Sequence, residues 1–125
     1  MIRNLLYVAF GGAFGSVARY GVAVIAEKLA PDGFPWGTFT VNVLGSALLG
    51  VILALASGDA PRLTPEVRLL LGTGVMGGFT TYSTFNAEVL RSLQAGAPGR
   101  ALLYLAATVS ICLAGAWAGW SAIKA

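Results

Sequence analysis

The chain has 125 residues, of which 57% are hydrophobic and only 10% are charged. Soluble domains carry about 25% charged residues, and a small domain has too much surface to hide so many apolar side chains. The composition therefore excludes an ordinary soluble protein, and the length leaves room for four or five membrane-spanning helices with short connectors.

The rarer residue types exclude several kinds of chemistry. The chain has no histidine, which removes imidazole-based catalysis, metal binding and proton relays. Its single cysteine, Cys112, allows neither an internal disulfide nor a CxxC motif. The net charge of +3 is small and spread along the chain, so we expect lipid and not nucleic acid as its surroundings.

Four long segments that are poor in charge predict an all-α membrane protein with a single transmembrane domain over residues 1–125. The predicted spans cover about residues 4–26, 37–57, 69–90 and 101–123. Each segment is close to the roughly 20 residues that a helix needs to cross a bilayer. Proline and glycine cluster between the segments, as is typical of connecting loops.

The lysines and arginines divide almost evenly between the two ends of such a four-span protein. The end with both termini carries four and the other end three, namely Arg3, Arg62, Arg68 and Lys124 against Lys28, Arg91 and Arg100. Orientation in a membrane follows the bias of these residues. Either details other than charge orient the chain, or it inserts both ways and pairs with its own inverted copy.

Two predicted spans carry polar residues at helical spacing. Thr38, Asn42 and Ser46 follow one face of the second span, and Tyr104, Thr108 and Cys112 follow one face of the fourth. Single hydroxyl residues in membrane helices usually bond to their own backbone. A buried asparagine, however, must find partners or line a water-filled path, and we favour the path.

The third span is a poor continuous helix. Four glycines lie between residues 72 and 78, and five hydroxyl-bearing residues follow at 80–84. This pattern predicts a break near Gly77–Thr80, which would free carbonyls suited to a cation, and amides and hydroxyls suited to an anion. Arg19 and Glu88, near span ends, are either ordinary interfacial charges or parts of a vestibule.

Three motifs, in order along the chain, resemble one known family. They are Gly11-Gly-Ala-Phe-Gly15 with Arg19-Tyr20, the segment from Trp36 to Gly45, and the segment from Gly77 to Phe85. On these residues the chain resembles the small bacterial fluoride channels called CrcB or Fluc. The resemblance implies passive, selective export of fluoride across the cell membrane, which lowers its toxicity. It also implies an antiparallel homodimer with two pores and a central structural Na⁺ that is not transported.

The resemblance further implies roles for particular residues. The backbone carbonyls of Gly77 and Thr80 would hold the Na⁺, and Arg19 and Glu88 would lie at the access to the pore. The fluoride pathway would be lined by Asn42, Tyr82, Phe85, Ser83, Thr84, Tyr104, Thr108 and Cys112. Tyr82 stands where the family usually has phenylalanine, and Cys112 stands where a hydroxyl is common.

Three other classes of protein compete with this interpretation. A small multidrug exporter needs an acidic residue inside the membrane, and Glu88 is too near a span end for that. A non-transporting assembly factor would use glycines and polar stripes only for helix packing, which leaves the broken third span unexplained. An enzyme lacks support, because the sequence contains no nucleophile–base pair and no cluster of metal ligands.

Overall fold

In a computed structural model that describes residues 1–125, the chain is entirely helical. Three helices are long and apolar enough to cross a membrane, namely α1 (Ile2–Leu29), α2 (Trp36–Ala56) and α6 (Pro98–Lys124). The region between α2 and α6 is divided into α3 (Pro65–Arg68), a π-helical segment π1 (Leu69–Met76), α4 (Gly77–Phe79) and α5 (Tyr82–Gln94).

The outer surface of the bundle is apolar. Large hydrophobic side chains such as Phe10, Phe14, Leu113 and Trp117 are each about 70% exposed, at 71%, 68%, 71% and 69%. A soluble protein of this size rarely shows so much contiguous apolar surface, whereas lipid favours it. The exposed faces are therefore suited to hydrocarbon, and the all-helical membrane class predicted from the sequence is confirmed.

The third predicted span is interrupted at Thr80 and Thr81. Both residues adopt extended backbone, with φ and ψ of −86° and 159° for Thr80 and −151° and 124° for Thr81. Gly77 and Gly78 remain helical, so the interruption lies at the C-terminal edge of the predicted window. Glycine lowers helix propensity, but here the hydroxyl residues mark the place where the chain leaves the helix.

Glycines allow α1 to lie directly against π1 and α4. A Cβ on Gly11 would come within 2.9 Å of the Gly74 Cα atom, and one on Gly15 within 2.8 Å of the Phe79 amide nitrogen. A Cβ on Gly78 would meet the Gly12 carbonyl oxygen at 2.5 Å. Such backbone-to-backbone approach is the way in which small residues associate helices in lipid.

The two ends of the bundle carry the charges as the four-span topology requires. At one end Arg3 pairs with Glu66 at 3.4 Å, and Lys124 donates to the Ser57 carbonyl at 3.1 Å. At the other end the guanidinium of Arg100 lies beside the α1–α2 loop, where a Cβ on Gly33 would be 3.4 Å from it. The folded chain thus places Arg3 and Lys124 at one end of the bundle and Arg100 at the other, as the sequence predicts for these three residues.

The α1–α2 loop is fixed by a carboxylate. Asp32 accepts hydrogen bonds from the Trp36 indole nitrogen at 2.9 Å and from the Phe34 amide at 2.9 Å. The indole bond, followed by the amide bond, holds the pKa of Asp32 below its ordinary value of 3.8. The charged form is the one that the folded loop favours.

We expect the loop to loosen only in strong acid. Because the pKa of Asp32 is lowered by folding, its contribution is present above pH 3.8 and is lost as the pH falls through the folded value. Tryptophan fluorescence of the Trp117→Phe/Trp120→Phe variant, which leaves Trp36 as the only tryptophan, should change below about pH 4. Asp32→Asn in that background should remove the transition, and an unchanged transition would contradict the assignment to Asp32.

Candidate functional site

Two buried or half-buried side chains hold the interruption of the third span. Asn42 reaches it from α2, and Arg19 reaches it from α1. Both contact backbone atoms on either side of Thr80, so three separate helical regions meet at this point. The interruption is thus a fixed structural feature of the bundle and is not frayed helix.

Asn42 pairs with the backbone of Thr81 through both ends of its amide. Its Nδ2 donates to the Thr81 carbonyl at 2.9 Å, and its Oδ1 accepts from the Thr81 amide at 2.8 Å. The side chain is only 9% exposed. Extended backbone in the middle of a membrane needs such partners. Asn42 therefore satisfies the broken backbone and keeps one Nδ2 hydrogen free for another acceptor.

Arg19 turns toward the interior of the bundle. Its Nε donates to the Gly78 carbonyl at 2.9 Å, and the side chain is half-buried. The cationic guanidinium therefore satisfies a carbonyl at the C-terminal end of α4. Positive charge is favourable at a helix C-terminus. The side chain does not snorkel to the interface, which was the simpler of the two sequence-based interpretations.

Thr81 also caps the helix that follows. Its hydroxyl oxygen accepts from the Thr84 amide at 3.2 Å, and α5 starts at Tyr82. A threonine with extended backbone is a favoured N-cap. The first amides of α5 therefore face the interruption with the positive end of the helix dipole, which favours an anion there.

The interruption also leaves the carbonyl oxygen of Thr80 without a partner. The Thr80 carbonyl accepts no backbone or side-chain hydrogen bond, and no side chain donates to the Gly77 carbonyl. Gly77 is exposed, and a Cβ placed on it would meet nothing within 4 Å. Uncompensated carbonyls on an open face are suited to a hard cation.

A cavity of about 270 Å³ lies between α2, α5 and α6, beside the interruption, and we call it the α2–α6 cavity. Five predicted pathway residues line it, namely Asn42, Tyr82, Phe85, Thr108 and Cys112, together with Ser46 and Thr81. Two members of each polar stripe, Asn42 and Ser46 of α2 and Thr108 and Cys112 of α6, thus line the same space. Phe85 is buried, whereas Tyr82 is 76% exposed.

Three predicted pathway residues do not line this cavity, namely Ser83, Thr84 and Tyr104. Thr84 lines a second cavity of about 250 Å³ with Arg19, Ser16 and Tyr20, which we call the Arg19 cavity. Ser83 is exposed and lines neither cavity. Within α5, Tyr82 and Thr84 therefore face different cavities, because residues two apart on a helix point about 200° apart, whereas Thr81 precedes the helix and lines both cavities.

Glu88 is held by hydroxyl groups from two other helices. Thr38 donates to its Oε1 and Tyr104 to its Oε2, each at 2.7 Å. Tyr104 is 1% exposed and lies behind the α2–α6 cavity, with its ring 5.0 Å from that of Phe85. Glu88 also lines an open cavity of about 460 Å³ at the end of the bundle. Bonds from hydroxyls to a carboxylate are short and strong, so this group is a fixed element of the structure.

We expect Tyr104→Phe and Glu88→Gln to be coupled. Removing the tyrosine hydroxyl leaves a carboxylate oxygen without its donor and should lower the free energy of unfolding by about 1 to 3 kcal/mol. The double variant should cost less than the sum of the single changes, with a coupling of about 0.5 kcal/mol or more. Thermal unfolding in detergent measures all three. Strict additivity would contradict a direct Tyr104–Glu88 bond.

Sequence patterns missed two residues of this arrangement. The sequence pattern puts Thr38 on the same stripe as Asn42 but gives it no role in the site, whereas in the structure its hydroxyl donates to Glu88. Thr81 belonged to the hydroxyl run, yet it contributes mainly its backbone, which no side-chain pattern reveals. The position of Thr38 four residues before Asn42 was the available signal for its role.

Comparison with known proteins identifies the relatives of this arrangement. A family model described as CrcB-like protein, Camphor Resistance (CrcB), matches residues 6–120. A protein of Caulobacter vibrioides named fluoride-specific ion channel FluC is 44% identical over 118 residues, covering 94% of this chain and 93% of its own. One of the same name from Shewanella halifaxensis is 41% identical over 112 residues, covering 90% and 89%.

Family and structure agree on the class of protein. The family consists of ion channels and not of enzymes, and the three long apolar helices are those of a multi-pass protein of the cell membrane. The family match includes most of α1, the interruption at Thr80–Thr81 and most of α6. With this extent of matching, the chain belongs to the CrcB family.

Proposed function

We propose that the chain conducts fluoride passively across the cell membrane and so lowers the fluoride concentration inside the cell. The observation that carries this proposal is the α2–α6 cavity, in which side chains from α2, α5 and α6 meet beside the interruption. The relatives named fluoride-specific ion channels support the choice of ion.

The lining of the cavity has the chemistry that a small anion requires. Fluoride is strongly hydrated, so a selective pore must replace its water with hydrogen-bond donors. The free Nδ2 hydrogen of Asn42 and the hydroxyl of Thr108 are such donors. The edges of Tyr82 and Phe85 carry partial positive charge, and they would hold an anion without trapping it. Conduction needs several weak sites of this kind.

The remaining predicted residues would form the approaches to this cavity. In the proposal, Arg19 attracts fluoride into the Arg19 cavity, where Thr84 supplies a hydroxyl. Ser83 would line the same route only in an assembled protein, because it is exposed in the single chain. At the other end, Glu88 orients the hydroxyl of Tyr104 as part of the polar track with Thr108 and Cys112.

We further propose that two copies assemble in opposite orientations. The support is the nearly equal positive charge at the two ends of the bundle and the open face at Gly77, where a second backbone could approach. The proposal is testable with one cysteine. Ala95→Cys in a Cys112→Ser background lies in an exposed loop, and an impermeant thiol reagent should label it from both sides of intact membranes. Labelling from one side only would contradict the inverted dimer.

A structural Na⁺ between the copies is also part of the proposal. The free Thr80 carbonyl and the Gly77 carbonyl fit a hard cation, and two oxygens per chain would leave its coordination incomplete without a second copy. When bound, the ion would supply positive charge near the proposed anion route. We expect transfer from sodium to N-methylglucamine salts to lower the thermal stability of the dimer. Unchanged stability would contradict a structural sodium site.

The proposed function is tested by anion efflux from liposomes. Vesicles loaded with KF or KCl and treated with valinomycin should release fluoride rapidly and retain chloride, as ion-selective electrodes report. Equal release of both ions, or none above protein-free vesicles, would contradict the channel.

A pair of variants on α6 gives this test a matched control. Thr108→Val removes a buried hydroxyl without changing its shape and should reduce fluoride flux about tenfold, because a hydrogen bond to an ion contributes about 1.5 to 3 kcal/mol. Its stability should not fall, because the Thr108 hydroxyl has no partner within the protein. Ser110→Ala removes an exposed hydroxyl on the same helix and should leave the flux as it is. Equal flux in both variants would remove Thr108 from the pathway.

A further inference from the structure

Cys112 lies in a cavity and does not simply face lipid. It is the only cysteine in the chain, it is partly exposed, and it lines the α2–α6 cavity opposite Ser46 of α2. A thiol in an apolar, lipid-facing position is inert, because the thiolate is the reactive form and is not stable there. The reactivity of Cys112 therefore depends on whether the cavity contains water.

Thr108 indicates that the cavity accepts small polar guests. It precedes Cys112 by one helical turn, lines the same cavity and is only 5% exposed. Its hydroxyl oxygen is buried and has no hydrogen-bond partner within the protein. Buried polar groups almost always have a partner, in the protein or in ordered water. We therefore expect a molecule or ion that enters the cavity to supply the partner of this hydroxyl.

We propose that Cys112 is a covalent modification site for small thiosulfonates and low-molecular-weight disulfides that enter the α2–α6 cavity from water. The proposal adds that the adduct stops anion flux, and this second part rests on the proposed channel function. In the reaction with methyl methanethiosulfonate, the Cys112 thiol loses its proton to water and the thiolate attacks the S-methyl sulfur. A new S–S bond forms, the old S–S bond breaks, and methanesulfinate leaves.

The dimensions of the cavity fit this chemistry. Its volume of about 270 Å³ is many times the roughly 30 Å³ that one water molecule occupies, so a methylthio group has room to enter. Once attached, the group lies between the two polar stripes, beside Thr108 and across from Asn42. An apolar adduct there would replace the guests that the hydroxyl and amide groups bind. A serine or threonine at residue 112 could not undergo this reaction.

The test combines labelling with flux on the protein in liposomes. Methyl methanethiosulfonate should add one methylthio group per chain, detected by intact mass, and fluoride efflux should fall at least tenfold relative to the same vesicles before treatment. Dithiothreitol should remove the adduct and restore the flux. Cys112→Ser should gain no mass, and the ratio of its flux after and before treatment should stay near one, whatever its starting rate.

Labelling of a cysteine at a second position distinguishes a reagent that reaches the cavity from water from a reagent that arrives through lipid. Leu113 is 71% exposed on the apolar surface, next to Cys112 on the same helix. Leu113→Cys in the Cys112→Ser background should be labelled at least tenfold more slowly than Cys112. Equal rates, or no labelling of Cys112 until the protein is denatured, would overturn the modification site. Complete labelling of Cys112 with unchanged flux would overturn the proposal that the adduct stops anion flux. Absence of fluoride flux before treatment would count against the proposed channel function, and the labelling result alone would then decide whether Cys112 is a modification site.

Discussion

Replacing Asn42 with alanine is expected to lower the free energy of unfolding by about 2 to 4 kcal/mol and to reduce fluoride flux to the level of protein-free vesicles. The change removes two hydrogen bonds to Thr81 and leaves a carbonyl and an amide without partners inside the membrane. Thermal unfolding in detergent measures the first effect, and efflux from liposomes measures the second.

Asn42→Asp removes the hydrogen-bond donor of that side chain and keeps its acceptor. The carboxylate can still accept from the Thr81 amide, but it places a second oxygen where the Nδ2 group lies 2.9 Å from the Thr81 carbonyl. Unfavourable contact between these oxygens, together with a buried charge, should suppress flux as fully as alanine does. Thr40→Ala, two residues away on α2 and half-buried, serves as the control and should retain both flux and stability. Normal flux in Asn42→Asp would remove Asn42 from the pathway.

Adding a methyl group at Gly15 is expected to separate α1 from the third span. The Cβ of alanine would be 2.8 Å from the Phe79 amide nitrogen, in a contact made entirely of backbone that cannot move aside. Overpacking of this kind costs about 1 to 3 kcal/mol. The shift should also weaken the nearby Arg19–Gly78 hydrogen bond, so fluoride flux should fall together with stability.

Gly21→Ala is the matched control for that change. Gly21 lies on the same helix, and a Cβ there would meet nothing within 4 Å. Alanine should therefore raise stability slightly, by about 0.5 to 1 kcal/mol, through its better helix propensity. Thermal unfolding of the two variants under the same conditions decides between specific packing and a general effect of glycine. If Gly15→Ala were as stable as Gly21→Ala, the close packing of α1 on α4 would be contradicted.

The interruption of the third span illustrates what the sequence alone could predict. Clustered glycines followed by hydroxyl residues predicted a break because both lower helix propensity, and the break lies at Thr80 and Thr81. The helical class and the family were also predictable, because hydropathy and ordered motifs are local properties of the chain. Asn42 also stands out in the sequence alone, because it is a polar residue within an apolar segment.

The hydrogen-bond partners of Asn42 and Arg19 could not be predicted from the sequence. Asn42 and Thr81 are 39 residues apart, and Arg19 and Gly78 are 59 apart, so their hydrogen bonds exist only once the helices pack. Sequence reasoning favoured a water-filled path for Asn42, whereas much of its hydrogen bonding goes to the broken backbone. The π-helical form of Leu69–Met76 likewise could not be predicted, since the glycines of this segment indicate a weak helix but not which hydrogen-bond pattern the helix adopts.

The contacts of Asn42 and Arg19 explain how the interruption of the third span is held in place. Asn42 and Arg19 stabilise an interruption that combines an unpartnered carbonyl at Thr80 with the amide end of α5. The α2–α6 cavity lies beside this interruption. Several hydrogen-bond donors from different helices line it, which is the arrangement that the proposed passage of a small anion requires.

The most direct test of this account is the reversal potential in a planar bilayer with fluoride at different concentrations on the two sides and chloride making up the anion on the dilute side. We predict that fluoride alone carries the current, so that the current reverses at the fluoride equilibrium potential and replacing chloride with an impermeant anion leaves that potential unchanged. A reversal potential that shifts with the chloride concentration would contradict a fluoride-selective channel.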